Sequence, residues 1–189
     1  MKVIKSVTIT LLCLFLLSAC VTETTNPVFN VEKSDEDALD NYLRLSIGYL
    51  EQGNLPNAKR HLQNAAEIDS NNSEMFGIWG LIYAREGEPE LAEQNFNRSL
   101  RINPDNSQMR NNFAAFLFAE GRVEDAYDQL ARVVKDTSYD QRPQAFENMG
   151  IAAIRLNRIE EGEQAFMRAI QLNPNQLRSA LELASLNLE

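Results

Sequence analysis

From Asp35 onward, apolar residues recur every three or four positions in stretches long enough for several helical turns, a period that predicts amphipathic helices. Short turns separate the stretches in pairs: Glu51-Gln-Gly-Asn54, Arg85-Glu-Gly-Glu88 and Ala119-Glu-Gly-Arg122. Their glycines, Gly53, Gly87 and Gly121, are spaced 34 residues apart, and Asn157 stands at the equivalent turn 36 residues further on. Glycine, and after it asparagine, tolerates the left-handed backbone that ends a helix, so each turn predicts a helix C-terminus. Aligned on these turns, the rest falls into register. Eight positions before each turn is a bulky residue (Leu45, Trp79, Phe113, Met149), and the next is small (Ser46, Gly80, Ala114, Gly150). Tyr49, Tyr83, Leu117 and Ala153 stand four before the turn. Beyond it come Ala58, Ala92, Ala126 and Gly162, then Leu62, Phe96, Leu130 and Phe166. Small residues facing each other let two antiparallel helices cross closely, while the bulky ones are expected to fill the space to the next pair. Pro56, Pro89 and Pro143 fall in first helical turns, where a missing amide costs little.

A helix pair repeated at this period resembles the tetratricopeptide repeat. The resemblance implies an all-α fold, an α-solenoid in which antiparallel helix pairs stack into a right-handed superhelix. The array is expected over residues 35–189, with units at about 39–72, 73–106, 107–142 and 143–176 and a partial fifth at 177–189. Ala180, Leu183, Ala184 and Asn187 keep the register of that fifth unit, but no second helix follows. Solenoid ends are normally capped, so this end is expected to be either shortened or covered by a partner.

Ahead of the array the pattern changes. Lys2 and Lys5 precede an apolar run from Val7 to Leu17, a secretory leader pattern that assigns residues 1–19 to a signal peptide. A helix of that run would extend roughly 16 Å, about half a bilayer's hydrocarbon core. Leu17-Ser18-Ala19-Cys20 resembles the lipobox of bacterial lipoproteins, which implies cleavage before Cys20 and acylation of its sulfur. Each buried methylene is worth about 0.8 kcal/mol, so two or more acyl chains would hold the protein on a membrane. The same resemblance to bacterial lipoproteins, with Val21 in place of aspartate after the cysteine, implies sorting to the outer membrane, on its periplasmic face. Residues 20–34, with Pro27 and no helical period, read as a lipid-anchored tether. Ser34 followed by Asp35-Glu36-Asp37 reads as a helix N-cap and an acidic first turn.

Charge and candidate chemistry then exclude several function classes. The formal net charge is −9; loss of Lys2 and Lys5 with the leader leaves 16 of 18 basic residues against 27 acidic ones, near −11. With the basic residues scattered singly, nucleic acid is excluded as a partner. Cys13 and Cys20 are the chain's two cysteines, so the array carries no disulfide or thiolate ligand. His61, the single histidine, has no ligand-spaced partner and is expected at the surface. The sequence shows no phosphate loop, zinc motif or nucleophile elbow. The reading is a binding protein with no catalytic centre, no cofactor, no metal and no small-molecule substrate.

In the tetratricopeptide family the second, fifth, ninth, twelfth and thirteenth positions of each repeat line a groove. Carried onto this chain, the fifth, ninth and twelfth are Leu43, Ile47 and Leu50; Gly77, Leu81 and Ala84; Asn111, Ala115 and Phe118; Glu147, Ile151 and Ile154. Glu51, Arg85 and Arg155 stand beside this largely apolar stripe. An apolar peptide or amphipathic helix is the expected ligand. The carboxylate-clamp type of repeat is disfavoured, because Leu43 and Ile47 occupy the positions where it needs Lys and Asn.

A narrower likeness lies in Asn41-Tyr-Leu-Arg-Leu-Ser-Ile-Gly-Tyr-Leu-Glu-Gln-Gly-Asn54, in Arg110-Asn-Asn-Phe-Ala-Ala-Phe-Leu-Phe118, and in Leu172-Asn-Pro-Asn-Gln176 followed by Ala180-Leu-Glu-Leu-Ala184. It is most specific in the long turn Asp136-Thr-Ser-Tyr-Asp-Gln-Arg142 leading to Phe146-Glu-Asn-Met-Gly150. These segments resemble the type IV pilus biogenesis and stability lipoproteins, the pilotins, over nearly the whole chain. Members of that family continue through completed fifth and sixth repeats, which this sequence lacks. The resemblance implies a lipoprotein that binds secretin subunits and escorts them to the outer membrane. The other reading is a different outer-membrane scaffold of the same repeats, serving barrel assembly or cell-wall enzymes.

Overall fold

The computed structural model describes residues 34–186. The expected signal peptide, the expected lipidation site Cys20 and nearly all of the expected tether lie outside the described residues. Helix α1 (Asp35–Glu51) pairs antiparallel with α2 (Leu55–Ile68), α3 (Ser73–Glu86) with α4 (Pro89–Ile102), α5 (Ser107–Ala119) with α6 (Val123–Val133), and α7 (Arg142–Arg155) with α8 (Ile159–Leu172). Helix α9 (Leu177–Leu186) packs on α8. The first helices of successive pairs also touch, α1 on α3, α3 on α5 and α5 on α7, which makes the array an all-α solenoid.

The four turns share one construction. Gly53, Gly87 and Gly121 take φ of 73°, 75° and 77°, and Asn157 takes 59° as the non-glycine at the same place. In each, the amide one residue beyond the left-handed position reaches back to the first helix: Asn54 to the Tyr49 carbonyl (2.8 Å), Glu88 to Tyr83 (3.0 Å), Arg122 to Leu117 (2.9 Å) and Arg158 to Ala153 (2.9 Å). This closure satisfies carbonyls that a helix end would otherwise leave open, and it sets the angle at which the second helix returns. The first two turns between pairs are closed by asparagines: the Asn72 side chain accepts from the Met75 amide (3.0 Å) and Asn106 from Met109 (2.9 Å).

Within each pair the small positions are the crossing points. Ala58, Ala92 and Ala126 are fully buried, as is Ser46, whose hydroxyl donates to the Ala58 carbonyl at 3.0 Å. A side chain on Gly80 would stand 2.9 Å from the Phe96 ring, and one on Gly150 would stand 2.6 Å from Phe166. Phe96 and Phe166 are themselves fully buried, each worth about 1.5–3 kcal/mol in removed apolar surface. Phe96 stacks on Phe113 (centroids 5.3 Å apart), so the bulky position there bridges to the neighbouring pair, the one before its own. Leu45 does not: it is 46% exposed, because the structure places no earlier helix pair against α1 among the described residues.

His61 also departs from expectation. It is half-buried rather than on the surface, with its ring stacked on Tyr49 (5.3 Å, 4° between planes) and on Tyr42 (6.0 Å). The imidazole serves as one leaf of an aromatic stack joining α1 to α2.

Candidate functional site

Helices α1, α3, α5 and α7 present their ninth and neighbouring positions to one side of the solenoid. There Ile47, Leu50, Leu81 and Arg85, with Glu51, Glu74, Met109, Asn112 and Ala115 among their neighbours, line a hollow of about 670 Å³. Phe118 and Ile151, with Ala114, Leu130, Asn148 and Arg178, line a second of about 150 Å³. Ala115 belongs to both, so the two form one groove running across the first helices. The exposed floor is apolar because those positions carry Ile, Leu, Ala and Phe; the rims are polar because the helix ends carry charge.

Arg85 donates from Nη1 to the Leu50 carbonyl at 2.7 Å, which closes the C-terminal end of α1 and fixes the guanidinium at the groove's edge. Burial raises the Glu74 carboxyl above its ordinary value; Asp40 adds to the rise and Arg44 opposes it. Asp40 itself is ion-paired to Arg44.

Several of the residues expected in the groove take other places. Leu43 is 3% exposed and belongs to the core with Leu62, Met75 and Ile78, so it offers a partner no surface. Leu50 stays at the wall of the larger hollow but shows only 5% of its surface there, and its carbonyl is already taken by Arg85. Ile154 turns toward α8, packing where Gly162 has no side chain, and lines neither hollow. Arg155 is exposed at the end of α7, also outside both hollows. Ile47, Leu81, Arg85, Phe118 and Ile151 are the ones brought together.

The fifth position was misassigned throughout, for one physical reason: it faces the next repeat, not the groove. Gly77 is covered by the Met109 side chain. Asn111 is buried, with its Oδ1 accepting from Asn148 Nδ2 at 3.4 Å. Glu147 is 5% exposed, and its Oε2 accepts from the Ser179 amide (3.1 Å), the Ser179 hydroxyl (2.8 Å) and Gln176 Nε2 (3.5 Å). Sequence reasoning missed this buried carboxylate, although a charged residue at a position otherwise apolar, glycine or asparagine was a signal that something 32 residues on must answer it.

Among the described residues, no three His, Cys, Asp or Glu side chains gather as metal ligands, and no helix is long and apolar enough to cross a membrane.

Tetratricopeptide-repeat profiles match residues 43–107, 83–147 and 143–176. Fold and groove together thus define a protein of the tetratricopeptide-repeat class. The type IV pilus assembly protein PilF of Pseudomonas aeruginosa is 32% identical over 170 residues, covering 90% of this chain and 68% of that protein. The solved structure of Pseudomonas aeruginosa PilF superposes with a TM-score of 0.77 at 33% identity, covering 80% of this chain and 68% of that one. The chain belongs to the family of the type IV pilus assembly protein PilF. PilW, described as a widely conserved type IV pilus biogenesis factor, shares the fold at a TM-score of 0.71 and 20% identity, over 79% of this chain and 69% of its own.

Proposed function

We propose that this protein is an outer-membrane lipoprotein that binds secretin subunits on the periplasmic side and promotes their targeting and assembly in type IV pilus biogenesis. The observation that carries the reading is the groove across the first helices, with Ile47, Leu81, Phe118 and Ile151 on its walls, in a chain homologous to a pilus assembly protein. A groove of that shape suits an apolar segment of another protein laid across the array. The work done is coupling without a chemical step: the groove holds the cargo while acyl chains on Cys20 hold the carrier at the bilayer. No catalytic group, cofactor or nucleic acid has a part in it.

The test is a deletion strain complemented with variants, read by the amount of heat-resistant secretin multimer in outer-membrane fractions. Loss of multimers with normal barrel insertion supports the proposal; intact multimers with defective barrel insertion would transfer the protein to barrel assembly. Cys20→Ser should leave secretin binding intact in pull-downs while mislocalising the multimers. Ile151→Glu should weaken the pull-down with helicity unchanged. Leu43→Glu is unsuitable for that purpose, since its site is core.

A further inference from the structure

The groove's charged positions are ordered along its length. The second position of successive repeats reads Asp40, Glu74, Gln108, Gln144 and, at the start of α9, Arg178, of which Glu74, Gln108 and Arg178 line the hollows: acidic, neutral, basic. Glu51 and Glu74 both line the larger hollow, where Arg85 is the one cation and has a donor committed to the Leu50 carbonyl. Arg178 lines the smaller hollow, whose other lining residues carry no charge. Its own ion pair with Glu182 is long, 3.8 Å, between side chains 60% and 40% exposed, so its guanidinium can still serve a ligand.

We propose that the groove is polarised from end to end and takes an apolar segment of a partner protein whose basic side chains lie over the first two repeats and whose acidic side chains lie against Arg178. This rests on the groove being the binding face proposed above. Asp40 is already paired with Arg44, which leaves Glu74 and Glu51 as the carboxylates a ligand meets. Burial and the like charge of Asp40 both disfavour ionised Glu74, and an incoming ammonium or guanidinium would relieve that. From α3 to α9 there are three steps between neighbouring first helices, about 25–30 Å at ordinary helix packing distances. That exceeds the screening length of about 8 Å at physiological salt, so the two ends act as separate local contacts. A ligand must therefore carry its opposite charges about that far apart: some 17–20 residues of helix, or about 8–9 residues of extended chain.

Three fluorescent peptides of about 20 residues, sharing one Leu/Ile stripe, test this with the full chain. One carries paired lysines at one end and paired glutamates at the other, the second has lysines at both ends and the third glutamates at both. The mixed peptide should bind about tenfold tighter than either like-charged one, and the preference should shrink in high salt. Arg178→Glu should transfer the preference to the lysine-ended peptide, and Glu74→Lys to the glutamate-ended one, with helicity by circular dichroism as wild type. Glu74→Gln, nearly the same shape, should lose discrimination at one end only. Equal binding of all three peptides, or a preference that ignores both reversals, overturns the proposal. If discrimination follows the reversals while secretin multimers form without the protein, the secretin reading fails and the polarity stands. Secretin dependence without peptide discrimination is the opposite result.

Discussion

The seam between the first and second repeats and the seam between α7 and α9 occupy the same place in the repeat, yet they are built from opposite chemistry. In the first, Leu43 lies in one apolar cluster with Met75 and Ile78. In the last, the Glu147 carboxylate accepts the amide and hydroxyl of Ser179. Met75, Met109, Ala145 and Ser179 are equivalent residues, and Met75, Met109 and Ser179 each pack with the fifth position of the preceding repeat. Large Met109 covers small Gly77, and hydroxylated Ser179 answers charged Glu147. The solenoid's geometry comes from its turns and crossing points, so each seam is free to be oily or polar provided its two sides complement each other.

Exchanging the chemistry of the two seams would break the comparison, and the largest effect is expected at the apolar one. Leu43→Glu places a carboxylate in a cluster with no partner, at a cost of about 3–5 kcal/mol, and should lower the urea midpoint of the whole array. Glu147→Leu is the milder half. It leaves the Ser179 amide and hydroxyl without their acceptor, at a cost of about 1–3 kcal/mol. Amide exchange should accelerate across α9 while α1–α4 stay protected, and Ser179→Ala added to Glu147→Leu should recover part of the loss. If Glu147→Leu proves as globally destabilising as Leu43→Glu, the polar seam is as central as the apolar one and the contrast drawn here fails.

Crossing points inside the pairs sharpen the same point. Gly150→Ala puts a methyl 2.6 Å from Phe166, a ring with no exposure and nowhere to move, against 2.9 Å from Phe96 for Gly80→Ala. Both should destabilise by about 1–3 kcal/mol, Gly150→Ala the more, measured by chemical denaturation.

Much of this was legible in the sequence for a definite reason. A left-handed turn needs glycine or asparagine, so the spacing of Gly53, Gly87, Gly121 and Asn157 disclosed every helix pair, and the small residues at fixed offsets disclosed which faces meet. The groove was only half legible. Periodicity says that Leu43 and Ile47 share a helix face, but they are four residues apart on a curved surface, and the next repeat covers one while leaving the other half open. Glu147 and Ser179 could not be joined without knowing that the fifth position of one repeat touches the third of the next. The fate of His61 depended on two tyrosines, Tyr42 and Tyr49, that only the pairing of α1 with α2 brings to its ring.

The outer seams, between second helices, offer the smallest effect but a clean one. The Tyr127 hydroxyl on α6 donates to Glu161 on α8 at 2.6 Å, and the Arg158 guanidinium, itself paired with Glu124, lies 5.1 Å over the same ring. Burial first, then the hydrogen bond to Glu161, pushes the Tyr127 phenol up to about 12 from the usual 10.0. A raised phenol means that folding favours its neutral form. The stabilisation is complete below the ordinary tyrosine range, declines from there as pH rises, and is lost once the folded group titrates at about 12. The phenolate absorbance of wild type minus that of Tyr127→Phe should therefore rise near 12, and Glu161→Gln should bring that rise to lower pH. The same Tyr127→Phe change should flatten the alkaline end of the stability curve and cost only about 0.5–1.5 kcal/mol at neutral pH, the usual net worth of one hydrogen bond. A difference titration centred at the ordinary tyrosine value would mean that α6 and α8 are not locked through this hydroxyl, and that the outer seam depends on the Arg158–Glu124 pair alone.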